Sequence, residues 1–136
     1  PHGTFFLRDE DRPRLFVAGG TGVAPFLSML RSMVAHPPAK ATTFVIGART
    51  PGHLFAMDEL KTLASQLDGM SLQIAVEQDA DAGVHAGYPT DLIPKLGLDP
   101  STRVYLCGPP PMVEAGRKAA EAAGLKRADV LCERFA

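Results

Sequence analysis

The stretch that most constrains this chain is Leu15-Phe16-Val17-Ala18-Gly19-Gly20-Thr21-Gly22-Val23-Ala24-Pro25. An apolar run stops in glycines, and a helix-forming segment follows at once. A strand, a tight glycine turn and a helix start in that order make a site for a nucleotide diphosphate. Glycines let the backbone approach the ligand, and the N–H groups and dipole of the helix start favour its negative charge. The spacing from Gly20 is G-x-G-x-x-P, so the third glycine of the dinucleotide fingerprint is missing. No Gly-Lys-Ser/Thr follows to make a P-loop. An ordinary strand-to-helix turn remains the alternative at this point, and the rest of the chain must decide.

Around this turn, strands and helices alternate. Arg14 to Ala18 is nearly all apolar and reads as a strand buried on both faces, as in a parallel sheet. Phe26, Leu27, Leu30, Met33 and Val34 recur at helical spacing from Ala24 to His36, and Pro37-Pro38 stops that helix. Thr42 to Gly47 is a second strand, rich in β-branched residues. Leu54 to Leu67 carries a stripe of Leu54, Met57, Leu60, Leu63 and Leu67 and reads as the second helix. Ser71 to Val76 is a third strand, Glu77 to Gly87 a polar loop, and Tyr88 to Leu96 a short helix. Arg103 to Cys107 is a fourth strand, followed by the turn Gly108-Pro109-Pro110-Pro111. Met112 to Ala123 is an Ala-rich helix, and Val130 to Phe135 is a final strand. The fold class expected is α/β, a three-layer, doubly wound, mostly parallel five-stranded sheet. Both glycine bends then sit at carboxyl ends of strands, where ligands of such sheets bind.

The chain's 136 residues fit one domain, and an apolar content of 46% supplies a core. A net charge of −1 with no basic run gives no reason to expect nucleic acid. No apolar stretch approaches the roughly 20 residues that span a bilayer. The amino end lacks the basic start and apolar core of a signal peptide. Two cysteines, Cys107 and Cys132, make neither a disulfide framework nor a zinc signature. A reducing cytoplasm is the simplest setting. The chain starts without Met, in what reads as mid-strand from Thr4 to Arg8, which suggests a piece of a longer polypeptide.

Several motifs in one order carry a resemblance: GTFFLR, LFVAGGTGVAPFLSML, GYPTDLI, VYLCGPPPMV and the ending ERF. Together they resemble the pyridine-nucleotide half of the ferredoxin–NADP reductase superfamily. They are most similar to reductase components of bacterial aromatic-ring dioxygenases of the benzoate or anthranilate type. The resemblance covers essentially the whole chain. It implies that residues 1–8 are the last strand of a preceding flavin-binding barrel, 9–13 a linker and 14–136 the NAD(P)-binding domain. The barrel and its flavin motif are missing from this sequence, so FAD would be bound mainly by a domain outside it. A plant-type iron–sulfur domain is missing too.

The resemblance also implies roles. Gly19, Gly20, Thr21, Gly22 and Pro25 match the loop that holds the diphosphate. Cys107, Gly108, Pro109 and Pro110 match the motif facing nicotinamide, with Cys107 beside the hydride-transfer position. Glu133 and Phe135 match the carboxyl ending, where an aromatic ring lies against flavin. Without its flavin domain, Phe135 is expected to be exposed or disordered. The groups reading the adenine ribose follow strand three, here Glu77 and Gln78. A carboxylate accepts from ribose hydroxyls and repels a 2′-phosphate, which favours NADH, while Arg49 argues for NADPH. The balance goes to NADH.

The remaining candidates read as ordinary. His53 and His85 lack ligand partners at metal spacing and read as solvent histidines, and no metal is expected. Ser28 has no nucleophile elbow, and Asp79-Ala80-Asp81 lacks the rest of a calcium loop. Met29, Met33, Met57, Met70 and Met112 read mostly as core. The expected function is the NADH-binding domain of a flavin-dependent oxidoreductase, inactive without its flavin domain. Its electrons would go to an iron–sulfur domain or ferredoxin and an oxygenase component. The alternatives are a non-catalytic nucleotide-binding module, and an NADPH-dependent ferredoxin, flavodoxin or flavohaemoglobin reductase domain.

Overall fold

The computed structural model describes residues 5–135. Six strands form one sheet, ordered β4-β3-β2-β1-β5-β6, and every neighbouring pair is parallel. The strands are β1 (Arg14–Gly19), β2 (Thr42–Ala48), β3 (Met70–Val76), β4 (His85–Ala86), β5 (Arg103–Gly108) and β6 (Val130–Arg134). The helices are α1 (Ala24–Ala35), α2 (Met57–Ser65) and α3 (Pro110–Ala122). The sheet therefore has six strands rather than five. The extra one, β4, is a two-residue bridge inside the expected loop, too short to leave a periodic signal.

β1 is central and buried along its whole length, as its unbroken apolar run requires. Its alternate residues serve two cores. Phe16 and Ala18, with Phe44, Ile46, Tyr105 and Cys107, pack under α1 and α2. Leu15 and Val17, with Val45, Val104 and Leu106, pack under α3 and the 3₁₀ segment Pro89–Lys95. The first core holds an aromatic nucleus: Phe16 stacks on Phe26 at 4.9 Å and meets Tyr105 edge-on at 5.2 Å. Such pairs add to the area they bury.

From β1 the chain runs outward through β2, β3 and β4, then returns to the other side of β1 as β5. The switch point lies between the carboxyl ends of β1 and β5, where Ala18 stands beside Cys107. The two glycine bends thus share one edge of the sheet.

Two expected boundaries move. α2 begins at Met57 rather than Leu54, because Ala56 takes a left-handed conformation (φ 55°) that no helix continues. Among residues 5–8 there is no strand. Thr4, the start of the expected β-like run, lies outside the described residues. Phe5 is buried in the first core against Phe26 and Tyr105, and the Arg8 N–H donates to the Tyr105 hydroxyl at 3.0 Å. Among the described residues no helix is long and apolar enough to cross a membrane.

Candidate functional site

At the carboxyl ends of β1, β2 and β3 lies an open cavity of about 570 Å³. Its walls include Gly19, Gly20 and Thr21 after β1, Gly47, Ala48 and Arg49 after β2, and Glu77 after β3. Tyr88, Pro89 and Thr90 close another side, with Pro109, Pro111, Met112 and Ala115 at the β5 end. His53 and Phe55, between β2 and α2, complete it.

Its polar end is the turn into α1. Gly20 takes φ +58°, a conformation glycine holds without penalty, and a side chain built there meets nothing within 4 Å. Gly20–Val23 is one 3₁₀ turn that runs directly into α1. Neither start carries a side-chain cap, and neither first turn holds an acidic residue. The amide groups of this turn therefore meet no competing carboxylate of their own, as an anion site needs. The start of α3 is chemically different. Pro109, Pro110 and Pro111 have no N–H to give, and the Val113 N–H already donates to the Pro109 carbonyl at 3.1 Å. One bend offers donors and the other offers apolar surface.

The mouth of the cavity carries opposite charges side by side. The β2–β3 ladder continues past the strands: the Glu77 N–H donates to the Ala48 carbonyl (3.1 Å) and the Gln78 N–H to that of Arg49 (2.9 Å). Arg49 and Glu77 are both exposed and adjacent, and no ion pair joins them. Two large apolar rings stand at the rim, Phe55 44% and Tyr88 57% exposed. The Tyr88 segment is fixed by Asp91, whose Oδ2 accepts from the Tyr88 N–H at 2.8 Å and lies 3.2 Å from His85 Nε2. The Tyr88 amide first, then His85, hold the Asp91 carboxyl below its usual range.

The cavity thus gathers Gly19, Gly20, Thr21, Arg49, Glu77 and Pro109 from the residues expected on sequence grounds. Gly22, Pro25, Gln78, Cys107, Gly108, Pro110, Glu133 and Phe135 are not in its walls. Four of these meet on the other face of the sheet. Cys107 faces the α1 core and stands beside Glu133 in register. The Phe135 N–H donates to the Gly108 carbonyl at 3.2 Å, and the Phe135 ring packs on the α1 core. A Cβ at Gly22 would collide with the Cys107 carbonyl and come within 3.2 Å of the Phe135 ring. Phe135 is therefore half-buried and seated, not exposed as expected, because β6 delivers it onto this face. Burial, then the Glu133 carboxylate, pushes the Cys107 thiol up to about 12, so it is a neutral thiol at physiological pH.

Four further residues stand in the wall: Phe55 and Tyr88, not expected there, and His53 and Met112, expected as a solvent histidine and a core residue. His53 is exposed, as expected, and its Nδ1 lies 2.6 Å from Thr50 Oγ1 at the cavity wall. Met112 is half-buried in that wall rather than fully in the core. The signal for Tyr88 was present in the GYPTDLI motif, next to a glycine at φ 150°.

Residues 16–118 match the family model described as the oxidoreductase NAD-binding domain. The 2-halobenzoate 1,2-dioxygenase electron transfer component of Burkholderia cepacia is 39% identical over 139 residues, covering 100% of this chain and 41% of that protein. The toluate 1,2-dioxygenase electron transfer component of Pseudomonas putida is 36% identical over 137 residues, with the same coverage. Among solved structures, the Amycolatopsis cytochrome P450 reductase GcoB superposes with a TM-score of 0.88 at 28% identity, over 98% of this chain and 41% of that one. This chain spans about two fifths of the length of the relatives it matches.

Proposed function

The chain belongs to the oxidoreductase NAD-binding domain family, and from that premise we propose that it binds NADH as one part of a flavin-dependent electron-transfer reductase. The observation that carries this reading is the cavity itself. It runs from a charged, aromatic-rimmed mouth at β2 and β3, past the uncapped Gly20–Val23 turn, toward the proline-rich bend after β5. A dinucleotide has a base, a diphosphate and a second ring in the same order.

Each part of the site has a job in this reading. The amides of Gly20 and Thr21 in the wall hold the diphosphate, with Gly22 behind them in the same turn, and the α1 dipole favours its charge. Pro25 lends no N–H, but its fixed φ starts the helix. Phe55 and Tyr88 flank the adenine, and Asp91 keeps Tyr88 in place. Glu77 accepts from the adenosine ribose hydroxyls, with Gln78 beside it. Gly108, Pro109 and Pro110 frame the ring end, with Cys107, Glu133 and Phe135 behind the same bend. With its neutral thiol, Cys107 packs and positions rather than attacks. Bound here, reduced nicotinamide would supply a hydride for a flavin held by another part of a longer polypeptide. Residues 1–8 lead from that part, and residues 9–13 link to it. Electrons would pass onward to an iron–sulfur centre and an oxygenase; the two relatives are named as electron transfer components of 1,2-dioxygenases.

Arg49 in the same wall supports a second reading, in which NADPH is used through its 2′-phosphate. Calorimetric titration of this chain with NADH and NADPH separates the two. Preference for NADH is expected, since Glu77 repels the extra phosphate and an exposed Arg49 regains little. Preference for NADPH would reverse the coenzyme assignment, and no binding of either would remove the site.

A further inference from the structure

Three glycines stand at or one residue before the ends of three adjacent central strands, on the α3 face of the sheet: Gly108, Gly19 and Gly47. What covers them differs. A Cβ at Gly47 would strike the ring of Pro89, a rigid group. A Cβ at Gly19 would lie 2.5 Å from the Met112 sulfur, and one at Gly108 2.8 Å from the same atom and 2.9 Å from the Met112 methyl. One thioether therefore covers both bends at the switch point. Met112 lines the cavity, whereas Gly108, directly beneath it, does not. A ligand bridging the Gly20 turn and the Gly108 bend meets the Met112 side chain in its path.

Methionine suits a cover that moves. It is unbranched, with three rotatable bonds and little penalty between rotamers. Met112 is half-buried and sits in the first turn of α3 at the edge of the cavity, not in the centre of a core. The backbone beneath it carries no side chain to hinder either position. We propose that the Met112 thioether is a displaceable plug: it swings off the Gly19–Gly108 floor to admit the ring-bearing end of a dinucleotide. Met112 then sets the affinity for that end alone, while the adenosine and diphosphate contacts are made elsewhere in the cavity. The proposal rests on the nucleotide reading of the same site.

The test uses this chain labelled with ¹³C at its methionine methyls, and two probes, NAD⁺ and ADP-ribose, which lacks the nicotinamide ring. Saturating NAD⁺ shifts the Met112 methyl resonance, assigned by its loss in Met112→Leu, and ADP-ribose leaves it in place. In calorimetry, Met112→Ala removes the cost of displacing the plug. It tightens NAD⁺ by about fivefold and leaves ADP-ribose within about twofold. A Met112 methyl unmoved by NAD⁺, or a Met112→Ala effect equal for both probes, overturns the plug and leaves the nucleotide site standing. Failure of both probes to bind the unaltered chain overturns the nucleotide reading, and the plug with it.

Discussion

Neighbouring glycines in the turn after β1 have different reasons to be glycine. Gly22 is packed against backbone: its missing Cβ leaves room for the Cys107 carbonyl, which cannot step aside cheaply. Gly20 faces open space and needs only its positive φ. Gly22→Ala is therefore expected to cost about 1–3 kcal/mol or more as overpacking, whereas Gly20→Ala costs about 1 kcal/mol of left-handed strain. Urea unfolding of both variants checks the order; a Gly20 variant less stable than the Gly22 one would contradict it. The cysteines make a second prediction. In the fold, burial raises the Cys107 thiol to about 12, above its unfolded value near 9. Its contribution to stability is thus whole below about pH 9 and is lost as pH climbs toward 12. At pH 8 an alkylating reagent should reach half-buried Cys132 first and Cys107 only on unfolding. Mass spectrometry of partly labelled chain, showing Cys107 modified first, would refute this.

The segment before β1 is held by an ion network rather than by a strand. Both Glu10 carboxylate oxygens receive Arg103, at 2.9 and 2.7 Å, while Arg12 reaches Asp129 at 2.7 Å and Glu10 at 3.4 Å. Arg103 most of all, then Arg12, keeps the Glu10 carboxyl below its ordinary range. A depressed carboxyl stabilises the fold above its unfolded pKa and loses that contribution as pH falls through the folded value. Glu10→Gln should lower stability by about 1 kcal/mol at neutral pH, and the gap from the parent should close as pH falls through the lowered Glu10 value. Thermal melts across that range test it; a gap independent of pH would point to packing instead. At the cavity rim, Asp91→Ala removes the acceptor of the Tyr88 amide. Nucleotide affinity should fall several-fold and the melting temperature by only a few degrees, as for a lost cap of about 1 kcal/mol at the surface. Unchanged affinity would show that the Tyr88 wall is not part of the site.

At the scale of the molecule, most of the architecture was legible because buried parallel strands write themselves as apolar runs. Leu15 to Ala18, Thr42 to Gly47 and Val104 to Cys107 all became central strands for that reason. The resemblance and the family match agree on the rest. Illegible were features made by single backbone angles or by contacts across the fold. These were the start of α2 after Ala56, the two-residue β4, and the seating of Phe135. The candidate site was half legible. The glycine turn and the β3 acid expected from sequence both line the cavity, yet the candidates divide between two faces of the sheet. Alternation along β5 already required that, since Cys107 and Gly108 point opposite ways. Met112 was hidden because a half-buried wall residue and a core residue share the same helical spacing. In the proposed site, two bends on one sheet edge hold the diphosphate and the ring-bearing end of one dinucleotide. Amide chemical-shift mapping of this chain during NADH titration tests it most directly. Gly20 to Gly22 and Cys107 to Gly108 are expected to shift together along one binding curve. Shifts confined to one bend, or following two separate curves, would contradict it.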